Sequence, residues 1–132
     1  MCKYISHNRK KYHLLVHLIF VVKYRKPLLS VFGDQVKDII LEVAKSSRFE
    51  IDTMEVDTDH IHLLISYDPN ISISQIVRRV KQETTYQLWQ KHPNRLKLEF
   101  WKDHIFWSQS YFACSVGQVS EEIVRKYIEE QG

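Results

Sequence analysis

A chain of 132 residues that is 44% hydrophobic and 12% aromatic, with three Gly and three Pro, fits one compact domain (1–132) with a real core and excludes long disordered stretches. No apolar run approaches the ~18 residues of a bilayer span, the opening MCKYISHNRKKYH is too polar for a secretion signal, and Cys2 and Cys114 are too few for a disulfide scaffold or a cysteine-rich zinc site, so a cytoplasmic protein is expected. The net charge of +3 is segregated: residues 1–30 carry Lys3, Arg9, Lys10, Lys11, Lys23, Arg25 and Lys26 with no acid, and residues 72–102 carry seven basic groups against Glu83 and Glu99, which can build a positive face for phosphate.

Tyr12 to Lys23 is β-branched and aromatic without a breaker and reads as a central strand. Tyr24 to Pro27 turns the chain, and Leu28, Leu29, Phe32, Val36, Ile39, Ile40 and Val43 then recur at helical spacing to about Ser46. Phe49 to Val56 alternates as a strand, with Phe49, Ile51, Thr53 and Glu55 on one face and Met54 and Val56 on the other. After the turn signal Asp57-Thr58-Asp59, His60 to Tyr67 returns as a second strand, close enough to form a hairpin.

Ser72 or Ser74 caps the next helix, whose apolar positions run from Ile73 to Leu88 and whose exposed side carries Arg78, Arg79 and Lys81. His92-Pro93-Asn94 stops it, Leu96 to Trp101 reads as a short extended piece, and Ile105 to Val116 reads as a last strand. Gly117 breaks that strand, and Ser120 caps a final helix holding Glu121, Glu122, Ile123, Val124, Tyr127 and Ile128. The first six elements are those of a ferredoxin-like βαββαβ unit, an α+β fold with an antiparallel sheet, here extended by a C-terminal helix that carries a tyrosine. That fold hosts many unrelated functions and supplies none by itself.

Two pairs of residues bear on chemistry. His60 and His62 flank Ile61 on a strand, so both imidazoles point to one face, where they can grip a divalent cation. Tyr127 and Gln131 stand four apart, stacked on one side of a helix. Each pair taken alone has an ordinary structural explanation: half-solvated strand histidines, a packing tyrosine and a solvated glutamine. Taken together, two imidazoles and an amide oxygen form a neutral ligand set that suits Mg2+ or Mn2+ and would also accept zinc, with the phenol aimed at a bound phosphate.

The stretches HLIFVVKYRKPLL (17–29), VDTDHIHLLISYDP (56–69), SISQIVRRVKQET (72–84), FWSQSYFACSVG (106–117) and VRKYIEEQG (124–132) follow one another in an order and total length that resemble the TnpA family. These are the single-tyrosine transposases of compact insertion sequences, within the superfamily named for a His-hydrophobic-His motif. The resemblance implies that His60, His62 and Gln131 bind the metal, Mg2+ or Mn2+, and that Tyr127 is the nucleophile. It implies cleavage and rejoining of single-stranded DNA at hairpin-bearing element ends through a 5′-phosphotyrosine, without ATP. It also implies a homodimer with active sites shared between subunits, acting in a prokaryotic cytoplasm at the nucleoid. Lys23, Arg25, Arg78, Arg79 and Lys81 are the side chains expected to contact DNA phosphates. Trp107, Tyr111 and Phe112 are read as core or dimer packing in preference to base stacking.

Three rival readings make different demands. A replication initiator or relaxase-like nickase would share the metal and the tyrosine but not the joining of two cut ends. A non-enzymatic nucleic-acid-binding module would need neither metal nor covalent bond. A zinc hydrolase would need a carboxylate general base beside the histidine pair, and the sequence places none clearly there.

Overall fold

The computed structural model describes residues 5–7, 10–12, 14–115 and 121–131, with the side chains of 14–114 and 125–131. β1 (Ile5–His7) and β2 (Lys10–Tyr12) pair as a separate two-stranded sheet. Tyr12 therefore belongs to this hairpin, and the central strand expected from Tyr12 begins as β3 at Leu14 and runs to Val21. There follow a 3-10 turn (Lys23–Arg25), α1 (Leu29–Lys45), β4 (Phe49–Val56), β5 (His60–Tyr67), α2 (Ile73–Lys91), α3 (Pro93–Glu99), β6 (Phe112–Ser115) and α4 (Glu121–Glu130). The main sheet is antiparallel in the order β4-β5-β3-β6, the expected βαββαβ topology. No helix among the described residues is long and apolar enough to cross a membrane.

The period of two in each strand divides the sheet into two faces with different tasks. Leu18 and Phe20 of β3 and Ile61, Leu63 and Ile65 of β5 are buried with the apolar stripes of α1 and α2 in the main core. The other face carries His17, Ile19 and Val21 of β3 and His60 and His62 of β5. It is covered in part by α4, whose Ile128 packs with Ile19 and Val21. Of the two serines expected to cap α2, Ser72 does so. Its hydroxyl accepts from the Gln75 amide at 3.1 Å and its own amide donates to Gln75 Oε1 at 2.9 Å, which satisfies two orphan donors reciprocally. The expected break at Gly117 and cap at Ser120 lie outside the described residues.

Three further segments differ from the sequence expectation. Leu96 to Trp101, expected as extended, is mostly α3. Pro93 ends one helix and, at the first position of the next, starts another, because its fixed φ and missing N–H suit a helix start. Among the described residues of the expected 105–116 strand, which leave out Val116, 112–115 form a strand and Trp107 makes a single bridge to Val22. Between them the Ser108 and Ser110 carbonyls accept from the Lys81 ammonium of α2, at 2.8 and 2.9 Å, instead of from a neighbouring strand. In β4 the pairing jumps from Ile51 opposite Ile65 to Thr53 opposite Leu64, so Asp52 is an extra residue in a bulge. Met54 and Val56 consequently rejoin Phe49 and Ile51 against the core, and Thr53 and Glu55 turn to the histidine face.

Candidate functional site

β5 places the histidine pair. Ile61 between them is fully buried, which turns both neighbouring imidazoles outward with ring centroids 5.0 Å apart. β3 adds a third: the His17 ring stacks on His62 at 5.3 Å, with His17 Nε2 3.2 Å from His62 Nδ1. β4 adds a carboxylate, because Glu55 is the cross-strand partner of His62. His60 turns its Nδ1 toward Asp59 Oδ1 at 2.8 Å, and Asp59 Oδ2 accepts from Arg25 Nε at 3.3 Å.

Burial holds His62 below the ordinary imidazole pKa, and the neighbouring His60 and His17 push the same way against Glu55 and Asp57. Burial likewise lowers His17, opposed by Glu55. Both shifts favour the uncharged ring, which keeps a nitrogen lone pair for a ligand or a proton.

α4 brings Tyr127 of the second pair to the same face. The residues under Ile128 are the direct cross-strand partners of the histidines: Ile19 stands opposite His62 and Val21 opposite His60. Tyr127 is half-buried against Phe112, ring centroids 5.6 Å apart, and its hydroxyl lies 3.1 Å from Ser110 Oγ. The Ser110 hydroxyl donates to Gln131 Oε1 at 2.8 Å; since a hydroxyl has one proton, the phenol is then the donor to Ser110. Burial raises the Tyr127 phenol above its ordinary value and the Ser110 bond acts against that rise.

Tyr127 thus stands on the histidine face, while Gln131, expected on the same helix, lies in the turn just past α4, its amide on the Ile128 carbonyl at 3.1 Å, and is tied to Tyr127 through one serine. Among the described residues neither shares a hydrogen bond with His60 or His62, and no three His, Cys, Asp or Glu side chains gather as an ion-holding cluster. Two imidazole nitrogens and an amide oxygen are donor types that a divalent cation accepts, and here the Gln131 oxygen is engaged by Ser110.

Of the basic residues, Arg78 and Arg79 are exposed on α2, as expected, and Arg79 Nη2 donates to Ser46 Oγ at 3.2 Å. Lys23 lies over the Tyr24 ring at 5.3 Å and Arg25 is held by Asp59. Lys81 departs from the expectation of an exposed side chain. It folds under the 108–110 segment, over the Phe20 ring at 5.3 Å, and burial pushes its ammonium down to about 8. Trp107 is a core residue whose indole N–H donates to Thr84 Oγ1 at 2.8 Å, and Tyr111 packs against the same core.

Sequence reasoning did not single out His17, Asp59 or Ser110. Asp59 had a visible signal, a carboxylate directly before the histidine motif. His17 becomes a neighbour of His62 only through strand pairing across 45 residues, and Ser110 reaches α4 only through the tertiary fold.

Residues 10–131 match the family described as "Transposase IS200 like". The chain is 36% identical over 121 residues to the ISDra2 transposase TnpA of Deinococcus radiodurans, covering 91% of this chain and 85% of the relative. It is 26% identical over 132 residues to the IS200 transposase of Salmonella typhimurium, covering 98% and 82%. A crystal structure of a candidate transposase from Deinococcus radiodurans R1 superposes with a TM-score of 0.81 at 29% identity, covering 96% of this chain and 97% of that one. A REP-associated tyrosine transposase bound to a REP hairpin shares the fold, with a TM-score of 0.59 at 16% identity over 95% and 69% of the two chains.

Proposed function

The chain belongs to the IS200-like transposase family, and from that premise we propose that it cleaves and rejoins single-stranded DNA at the ends of its element through a covalent bond to Tyr127. One observation carries the reading. α4 lays Tyr127 on the sheet face that bears His60 and His62, with Ile128 seated on the two residues that pair with those histidines, and Gln131, in the turn just past α4, is linked to Tyr127 through Ser110.

His60, His62 and Gln131 would hold Mg2+ or Mn2+. All three are neutral donors, so the ion would keep its charge for the scissile phosphate and polarise it. The Tyr127 oxygen forms a bond to phosphorus as the bond from phosphorus to the 3′ oxygen breaks. The phenol gives up its proton, the departing 3′ oxygen becomes a hydroxyl, and the 5′ end remains as a phosphotyrosine. A phosphodiester is replaced by a tyrosyl phosphodiester of similar energy, so a 3′-hydroxyl from another end can reverse the step without ATP.

Hairpin-bearing DNA is the proposed substrate, in keeping with the hairpin on the REP-associated relative. Arg78, Arg79, Lys23 and Arg25 are the proposed phosphate contacts. Two copies acting together would hold two element ends, each contributing one 1–132 domain in the cytoplasm, with each tyrosine helix serving its own or its partner's histidine pair.

The test is incubation with single-stranded DNA carrying an element-end hairpin and Mg2+, scored for a denaturant-resistant protein–DNA band. Wild type gives the band on single strands and loses it on duplex DNA or with chelator. Tyr127→Phe binds the hairpin yet gives no band. An undiminished band from Tyr127→Phe would assign the nucleophile elsewhere.

A further inference from the structure

Each histidine of the pair has its Nδ1 occupied by a different neighbour. A carboxylate only accepts, so at 2.8 Å from Asp59 Oδ1 the His60 Nδ1 carries a proton, and in the neutral ring Nε2 is left with its lone pair. The contact between His62 Nδ1 and His17 Nε2 can run either way. If His17 donated, His62 would carry its proton on Nε2 and lose that nitrogen as a ligand. If His17 accepts, His62 matches His60.

The neighbours are themselves held. The turn before β5 is pinned by Val22 N–H on Asp59 O, Leu29 N–H on Thr58 O and Asp57 N–H on His60 O, each 2.9 Å. Arg25 reaches Asp59 Oδ2 from a backbone in which Tyr24 (φ 62°) and Arg25 (φ 53°) are both left-handed. Such residues are strained and persist where the surroundings over-determine them. His17 sits on a strand paired on both sides, opposite Leu64 and Cys114, with its ring within 20° of parallel to His62.

We propose that Asp59 and His17 are positioning residues that fix His60 and His62 in the Nδ1–H tautomer, so that both rings offer Nε2 as the ligand atom, with Arg25 holding Asp59 in place. The proposal rests on the reading of the histidine pair as metal ligands. Outer neighbours of this kind orient ligating imidazoles and raise their basicity, and their loss typically weakens metal binding by about 10–100-fold.

Two readouts separate this proposal from the metal reading. In metal-free protein with 15N-labelled histidine, long-range proton–nitrogen correlation spectra should show His60 and His62 protonated on Nδ1. Asp59→Ala should turn His60, and His17→Phe should turn His62, into a mixture of tautomers. In Mn2+ titrations followed by electron paramagnetic resonance, each variant should bind about 10–100-fold more weakly than wild type and His60→Ala more weakly still. Asp59→Asn keeps an acceptor oxygen without the charge; it should retain the His60 tautomer with an affinity between those of wild type and Asp59→Ala, and it serves if Asp59→Ala does not fold. Nε2–H tautomers in wild type, or tautomers and affinities unchanged in the variants, overturn the proposal. Wild-type Mn2+ affinity in His60→Ala overturns the metal reading instead, and the spectra still decide the tautomers.

Discussion

The Tyr127 phenol and the Ser110 hydroxyl lie 3.1 Å apart, and through that serine Tyr127 is linked to Gln131. One hydroxyl therefore occupies both C-terminal groups proposed for chemistry. A phosphate or a cation that engages either group must displace or share this bond, worth about 0.5–1.5 kcal/mol when both partners can be rehydrated. Such a hold sets a posture without locking it.

Burial raises the phenol, and the Ser110 hydroxyl, once turned from Gln131 to donate to the phenolate, opposes the rise, so Ser110→Ala should move the Tyr127 ionisation to still higher pH. The measurement is tyrosinate absorbance against pH, with Tyr127→Phe subtracted in each background to isolate one phenol among seven tyrosines. A downward move on removing the hydroxyl would show that Ser110 does not stabilise the phenolate.

The buried imidazoles make folding stability depend on acidity. His17 and His62 have folded pKa values below the ordinary 6.5, so below that pH the unfolded chain binds more protons than the folded chain. Stability should accordingly fall as the pH drops through 6.5 and level off once the folded values are passed. Urea denaturation in the presence of chelator checks this, and His17→Phe should flatten the curve.

Lys81 gives a second window, at higher pH, by the same physics and with the same slope. Its ammonium releases its proton near 8 in the folded chain and near 10.5 ordinarily, so between these values the unfolded chain binds more protons and stability rises with pH. Lys81→Met should remove that rise. At neutral pH it should cost about 1–3 kcal/mol by leaving the Ser108 and Ser110 carbonyls without their donor. Comparing denaturation of the two chains at several pH values isolates this one group.

Arg78 and Arg79, by contrast, are exposed on α2, Arg79 with a bond to Ser46 Oγ, and are the phosphate contacts proposed on this helix. Their joint replacement by Ala should leave stability nearly unchanged and weaken hairpin binding. The slope of log affinity against log salt should become shallower by about 1–2, since each lost phosphate contact removes about 0.7–0.9. Identical slopes would take this end of α2 out of the interface.

The fold order is legible in the sequence because the long periodic segments carry it. The strand ending at Lys23, the stripe from Leu28 to Val43 and the His60–Tyr67 strand each have one dominant period. The misread segments are short or mixed. Leu96–Trp101 has too few residues to separate the two periods, and a proline that stops one helix looks the same as one that starts the next. Ile105–Val116 is apolar enough for a strand, yet its middle is claimed by the Lys81 side chain from another element. For the site, His60 and His62 are visible from spacing. His17 and Ser110 depend on pairings across 45 and 17 residues, which no local pattern encodes.

The bulge in β4 leaves one residue in excess of the alternation. With Asp52 struck out, FEIDTMEV becomes FEITMEV, an unbroken alternation that sends Phe, Ile, Met and Val inward and Glu, Thr and Glu outward. Asp52 can thus be lost without turning either half of the strand over, at the expense of the acceptor that its carboxylate offers the buried Ser66 hydroxyl at 3.1 Å, on the order of 1–3 kcal/mol. A gain or loss of one residue among relatives should therefore gather at this point of the sheet, while the turn that leads into the histidines keeps its length.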